Sequence, residues 1–204
     1  MRNRVGVIAA VVMALVGVLA TSDVARAGDR DHESGFFMRL SAGGGGAKTE
    51  FDMDHQNVEL SGTSGDINFA FGGIVAPNLA LHGTLFGWAI SEPDLEVVGV
   101  SFEVPADLTL SAIGAGMTYY FMPVNIYVSG SVGVGIMQIE GNGGEGETDH
   151  GMVIDLTVGK EWWVGRNWGL GVAGGFGYHS LPEKNMDENW TGSSFGVRFS
   201  ATLN

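Results

Sequence analysis

Trp168-Gly169-Leu170-Gly171-Val172-Ala173-Gly174-Gly175-Phe176-Gly177-Tyr178 is the stretch on which the fold turns. Trp168, Leu170, Val172, Phe176 and Tyr178 alternate with Gly169, Gly171, Ala173, Gly175 and Gly177. A period of two is the signature of a β-strand, whose successive side chains point to opposite faces. One face is wide and apolar, the other nearly bare. A closed barrel in lipid satisfies both: large apolar groups face hydrocarbon, and small or polar groups fit a narrow lumen. A soluble ligand-binding barrel would reverse this polarity, and the second face carries too little charge to be a wet outer surface.

The same alternation recurs along the chain. Ile67, Phe69 and Phe71 oppose Asp66, Asn68 and Ala70. Ile126, Val128, Val132, Val134 and Ile136 oppose Ser129, Ser131, Gly133 and Gly135. Met152, Ile154, Leu156 and Val158 oppose Asp155, Thr157 and Gly159. At the end, Phe195, Val197, Phe199, Ala201 and Leu203 oppose Ser194, Gly196, Arg198, Ser200 and Thr202. With 35–46, 79–90 and 107–121, the pattern predicts an all-β, up-and-down antiparallel transmembrane β-barrel of about eight strands, each of ~10–13 residues. The segment 79–90 leaves its facing open, because both faces carry large apolar groups.

The connections alternate in length. Ala76-Pro77-Asn78, Met122-Pro123-Val124-Asn125 and Gly165-Arg166-Asn167 read as tight turns. Longer loops are expected near 47–62, 91–106, 140–150 and 180–190, and they hold most of the acid. Short turns on one side and long loops on the other is the outer-membrane arrangement, with both termini on the periplasmic side.

Arg2 and Arg4, the uncharged run Val5 to Ala20 and the small-x-small site Ala25-Arg26-Ala27 read as a secretory signal peptide over 1–27. Residues 28–204 then form one barrel domain exported to the outer membrane. The chain has no cysteine, so neither disulfides nor thiolate metal sites are available. It holds 10 Lys+Arg against 23 Asp+Glu, a formal net charge of −13. The signal segment removes three arginines and one aspartate, so the remainder is more acidic still. Nucleic acid is excluded as a partner by this charge, while cations are attracted. Glycine accounts for 34 residues beside a hydrophobic share of 45%, which is a packed barrel wall rather than a low-complexity chain.

Two groups of residues stand out. Phe36, Tyr119, Tyr120, Phe121, Trp162, Trp163 and Trp168 cluster beside the short turns and are expected to form an interfacial girdle. Arg39, Asp66, Asp155 and Arg198 fall on lumen faces, and Arg39 and Arg198 lie on the first and last strands, which meet when the barrel closes. Buried charges need partners, so a structural lumen ion-pair network among these four is expected. The other reading of the same charges is a polar ion path.

The chain resembles the small outer-membrane β-barrel domain proteins, the OmpA/OmpX/OmpW-like group, over residues 35–204. The resemblance rests on Pro77-Asn78-Leu79-Ala80-Leu81, on Tyr119-Tyr120-Phe121 leading into Pro123, and on the alternating end Phe195 to Leu203. It implies handling by the outer-membrane assembly machinery and contact with membrane lipids and lipopolysaccharide. The chain ends on Leu203-Asn204, where family members usually end on an aromatic residue.

Other motifs point elsewhere and weakly. Gly169-Leu170-Gly171-Val172-Ala173-Gly174 spells G-x-G-x-x-G, but a dinucleotide site needs that motif between a strand and a helix. Gly143-Gly144-Glu145-Gly146-Glu147-Thr148-Asp149 is similar to calcium-binding repeats, yet occurs once; divalent cations are candidate partners at the acidic loops. His179-Ser180 with Glu183 resembles the residues of lipid A deacylases, but adjacent strand residues point apart. No cofactor is expected. The leading function is a non-enzymatic barrel with acidic surface loops, serving envelope structure or surface interaction. The first alternative is a conduit for small hydrophobic molecules, with space beside the Gly and Ala walls near Ile113, Met117, Phe86 or Trp88. A lipid A-modifying enzyme is the second.

Overall fold

A computed structural model of the chain describes residues 32, 35–53, 56–97, 99–141, 144–184 and 188–204. The signal segment 1–27, and Asp54, His55 and Asp187 of the acidic stretches, lie outside the described residues. Eleven strands follow in order: β1 Gly35–Met53, β2 Gln56–Ala76, β3 Leu79–Ser91, β4 Asp94–Val97, β5 Val100–Glu103, β6 Ala106–Phe121, β7 Ile126–Gly141, β8 Gly144–Glu147, β9 Gly151–Trp163, β10 Trp168–Pro182 and β11 Asn189–Leu203. Eight long strands form the barrel wall, in the ring β1-β2-β3-β6-β7-β9-β10-β11. The ring closes because β1 pairs with both β2 and β11. Every pairing is antiparallel, so the all-β, up-and-down barrel expected from the alternation is the fold.

The register can be followed once around the ring. From Met38 it runs through Phe71, Gly83, Ala115, Val132, Ile154, Tyr178 and Ser193, and returns to β1 at Lys48 rather than Met38. That stagger tilts the strands by roughly 40° and keeps an eight-stranded barrel narrow enough for side chains to fill.

The strands are longer than the sequence pattern suggested, from 13 residues in β3 and β9 to 21 in β2. The stretch expected to be a loop at 47–62 is mostly paired: β1 and β2 stay in register from Gly35↔Ile74 to Met53↔Gln56. Its charges hid a preserved period of two. Ala47, Thr49 and Phe51 are buried, while Lys48 and Glu50 stand on the other face. Glu50 is paired directly with Glu59, and Lys48 bridges the like charges at 2.5 and 3.5 Å. The stretch 91–106 folds as the hairpin β4–β5 laid against β2, and 140–150 contains β8 laid against β7.

The three short connections sit where expected. Asn78 and Asn125 take positive φ values of 63° and 52°, which asparagine tolerates better than other side-chain-bearing residues. The C-terminal Asn204 backbone N–H donates to the Asn167 carbonyl at 3.1 Å, which puts the chain end beside the third turn.

The outer face is apolar, as the alternation requires. Ile67, Phe71, Ile113, Val132, Leu156 and Phe199 are each about half exposed or more. Facing along β3 is now settled. Ala80, His82, Thr84, Phe86, Trp88 and Ile90 point inward, and Leu81 and Leu85 outward. Ile113 and Met117 are on the outer face, not beside a lumen space.

Candidate functional site

The lumen is filled in three layers. At the loop end lies an apolar cluster that includes Phe86, Trp88, Ile90, Leu108, Leu110, Met137, Val153 and Leu181. At the turn end lies a second, of Phe37, Ala70, Ala80, Tyr120, Tyr127 and Ala173. Between them is a belt of buried polar and charged side chains.

Arg198 organises one side of the belt. Its Nε donates to Asp66 Oδ1 at 2.6 Å, and its Nη2 lies 2.7 Å from Asp155 Oδ2. Nη1 donates to Asp155 Oδ1 and to Thr157 Oγ1, both at 3.0 Å. Thr157 Oγ1 and Asn68 Nδ2 donate in turn to Asp155 Oδ1, and Thr84 Oγ1 donates to Asn68 Oδ1. Three of the four charges singled out in the sequence therefore meet. Asp66 and Asp155 flank Arg198 from β2 and β9, each two strands away around the ring.

Arg39 stands apart from these carboxylates. Although β1 and β11 are neighbours, Arg39 is in register with Thr202, and Arg198 with Gly43. Arg39 Nη2 donates to Ser129 Oγ at 2.8 Å and Thr118 Oγ1 at 3.2 Å, and its guanidinium lies 4.5 Å from the Tyr127 ring centre. The His82 Nε2 also meets Thr118 Oγ1, at 3.1 Å. The carboxylate within electrostatic reach of Arg39 is Glu161, which accepts from Thr202 Oγ1 at 2.6 Å. The polar belt is thus two networks, one around Arg198 and one around Arg39. Glu161 was missed because it sits in the run Lys160-Glu161-Trp162-Trp163, which reads as a strand end. Its parity with Asp155 and Thr157 was the available signal.

The glycine-rich face makes room for these side chains. A Cβ on Gly175 would fall 2.7 Å from Arg198 Cζ, one on Gly171 2.7 Å from Glu161 Cγ, and one on Gly159 2.7 Å from Tyr127 ring atoms. The space expected beside the Gly and Ala walls is therefore occupied by large residues of adjacent strands. Beside Trp88, Leu110, Val153, His179 and Arg198 lies a cavity with room for about one water molecule.

The aromatic girdle divides by parity. Phe36, Tyr119, Phe121 and Trp162 are 44–51% exposed on the outer face, and Trp168 is half-buried on that face. Tyr120 is not part of it. It is fully buried, because its neighbours Tyr119 and Phe121 take the outer face and strand alternation sends it into the lumen. Trp163, adjacent to the outward Trp162, turns toward the turn-end plug, 5.1 Å from the His32 ring. His32 itself stacks on Tyr120 at 3.7 Å and is held by Asn78, Asn125 and Asn204.

The residues that resemble a deacylase set do not assemble. His179 is buried inside, with Nε2 3.0 Å from Thr49 Oγ1. Ser180 pairs with Met152 and Thr191 on the opposite face, and Glu183 accepts from Trp190 Nε1. Of the calcium-like stretch, Gly144–Glu147 is strand β8, the Thr148 and Asp149 backbone N–H groups donate to the Met137 and Pro182 carbonyls, and Gly143 lies outside the described residues. No group of three or more His, Asp or Glu residues able to hold a metal occurs among the described residues. At the loop end, hydrogen bonding from Gln138 and the nearby Lys184 ammonium hold the Glu147 carboxyl below its usual range.

Above the barrel wall, β2, β4 and β5 continue as a small sheet. Leu60, Leu95 and Phe102 lie in one cross-strand row, and Val58, Val97 and Val100 in the next. Between and beside them run the rows Glu59-Glu96-Ser101 and Ser61-Asp94-Glu103.

No protein-family model matches the sequence, and no curated protein does. Among solved structures, Neisserial surface protein A (NspA) is similar, at 14% identity over 83% of this chain and 97% of that chain, with a TM-score of 0.53. The attachment invasion locus protein Ail of Yersinia pestis is 12% identical over 81% of this chain and 98% of its own, with a TM-score of 0.42. The chain has the closed, eight-stranded antiparallel fold of a small outer-membrane barrel.

Proposed function

We propose that the protein is an exported, non-enzymatic outer-membrane barrel whose filled lumen is a structural anchor for a surface-exposed loop-end sheet, serving surface interaction. The observation that carries this reading is the ion-pair network of Arg198 with Asp66 and Asp155, set between two apolar layers. A conduit would need that belt to be hydrated or to move. Here the Arg198 guanidinium is turned on Asp66, Asp155 and Thr157, and the glycines that would have left a passage are covered by Arg198, Glu161 and Tyr127. The structural role of Arg39, Asp66, Asp155 and Arg198 is part of the same proposal.

Location in the outer membrane is supported by the half-exposed apolar band, the outward Phe36, Tyr119, Phe121 and Trp162, and the likeness in fold to a neisserial surface protein. Cleavage after Ala27, assembly by the outer-membrane machinery and contact with lipopolysaccharide belong to this proposal too. The acidic rim would meet lipopolysaccharide phosphates through divalent cations, because like charges would otherwise repel.

The test is twofold. Protease added to intact cells should cut the loop-end sheet, and purified protein in planar bilayers should leave the current near baseline while failing to bind apolar fluorescent probes in its lumen. Steady single-channel conductance with apolar-probe binding would replace this reading by the conduit. Recovery as a soluble periplasmic protein would remove the membrane reading altogether.

A further inference from the structure

The small sheet at the loop end has two chemically different faces. Paired residues on adjacent strands share a face. Leu60 is buried and Leu95 packs on the loop-end apolar cluster, so Phe102, in the same row, is on the mouth side of the sheet. Exposure grows outward along that row, from 5% at Leu60 to 52% at Phe102. Val100, in register with Val97, is 63% exposed on the same side. The other side carries Glu59, Asp94, Glu96 and Glu103, and no lysine or arginine occurs anywhere in 94–103.

The outermost strand of this sheet is β5. It pairs with β4 on one side, and among the described residues no strand pairs with its other side. All four residues of β5 are exposed. A strand edge offers unpaired N–H and C=O groups, and proteins blunt such edges with short length, charge, lysine or proline. β5 is short and ends on Glu103, but it holds no lysine or proline. It is Val100-Ser101-Phe102-Glu103, apolar on one side and polar or acidic on the other.

We propose that the free edge of β5 is a recognition edge for an extended polypeptide whose residues alternate between apolar and basic. Such a segment adds as the next strand. Its backbone satisfies the open edge, its apolar residues continue the Phe102 and Val100 rows, and its basic residues meet Glu96 and Glu103 across the opposite face. Main-chain pairing supplies affinity, and the acidic face selects charge and speeds encounter. A structured partner presenting an exposed strand of this pattern is recognised in the same way. The inference rests on the surface-interaction reading above and adds the class of partner.

The experiment uses the full barrel folded in nanodiscs and three synthetic peptides: alternating Lys with Val and Phe, the same composition with the apolar residues in one block, and the alternating form with Glu for Lys. The alternating basic peptide should bind at least tenfold more tightly than either control, with amide-exchange protection at Val100–Glu103. Glu96→Lys/Glu103→Lys should invert the preference toward the acidic peptide, and Phe102→Lys should weaken the basic peptide at least tenfold. These residues are exposed, so the barrel remains folded, as its heat-shifted migration on gels will report. Equal binding of the blocked peptide, no binding of any peptide, or binding without protection at β5 overturns the proposal. Surface cleavage of intact cells reads the location separately, so a surface-exposed barrel that binds no peptide refutes the edge and leaves the anchor reading standing.

Discussion

The guanidinium of Arg198 lies over Gly175 on the neighbouring strand, so close that a Cβ there would sit 2.7 Å from Cζ and 2.9 Å from Nε. An arginine tip can usually swing aside. This one is held by Asp66 and Asp155 together, so the added methyl must break an ion pair or push the strand. Gly175→Ala is expected to destabilise the barrel by about 1–3 kcal/mol in urea titrations in lipid vesicles. Gly174→Ala, with nothing within 4 Å of its Cβ, should stay within about 0.5 kcal/mol. Equal effects at the two sites would contradict the packing.

Removing the cation tests the same network from its centre. Arg198→Ala leaves Asp66 and Asp155 buried together without compensation, and is expected to cost about 3–5 kcal/mol. Combining it with Asp66→Asn and Asp155→Asn should recover much of that loss, because no charge is then left unpaired. A triple variant as unstable as the sum of its parts would argue against the pairing.

The separation of Arg39 from Arg198 has its own signature. Among the described residues the two share no hydrogen-bond partner: one bonds Thr118 and Ser129, the other Asp66, Asp155 and Thr157. Their alanine effects should add within about 0.5 kcal/mol in a double-mutant cycle. Arg198 and Asp155 in the same kind of cycle should couple by more than 1 kcal/mol, about the lower range for contacting charges. Strong coupling between the two arginines would mean a single network.

Facing is tested by charge. Val132 is 57% exposed on the outer wall, so Val132→Arg is expected to cost about 2–4 kcal/mol near the bilayer midplane. Thr157 is buried inside and accepts from Arg198, so Thr157→Ser, which keeps the hydroxyl, should cost less than about 1 kcal/mol. A harmless Val132→Arg in a lipid refolding assay would place that residue away from hydrocarbon.

Much of the architecture was legible along the chain because strand parity is local: Val172 and Ala173 must face opposite ways whatever surrounds them. Alternation therefore determined the eight wall strands, the outward apolar band and the lumen facing of Arg39, Asp66, Asp155 and Arg198, while Pro, Gly and Asn marked the three short turns. Tyr120 and Glu161 were legible by the same rule, but their neighbours Tyr119 and Trp162 made aromatic content the louder signal. Composition also misled at 47–62, where charge reads as loop although Lys48 bridges Glu50 and Glu59 within a paired hairpin. Partner choice required the closed ring. Whether Arg39 or Arg198 meets Asp155 depends on the register carried from β9 through β10 and β11 to β1, which no single segment encodes. The register of neighbouring strands sets Arg198 over Gly175 and Tyr127 over Gly159, and so turned glycine walls that could have lined a passage into the seats of the residues that fill it.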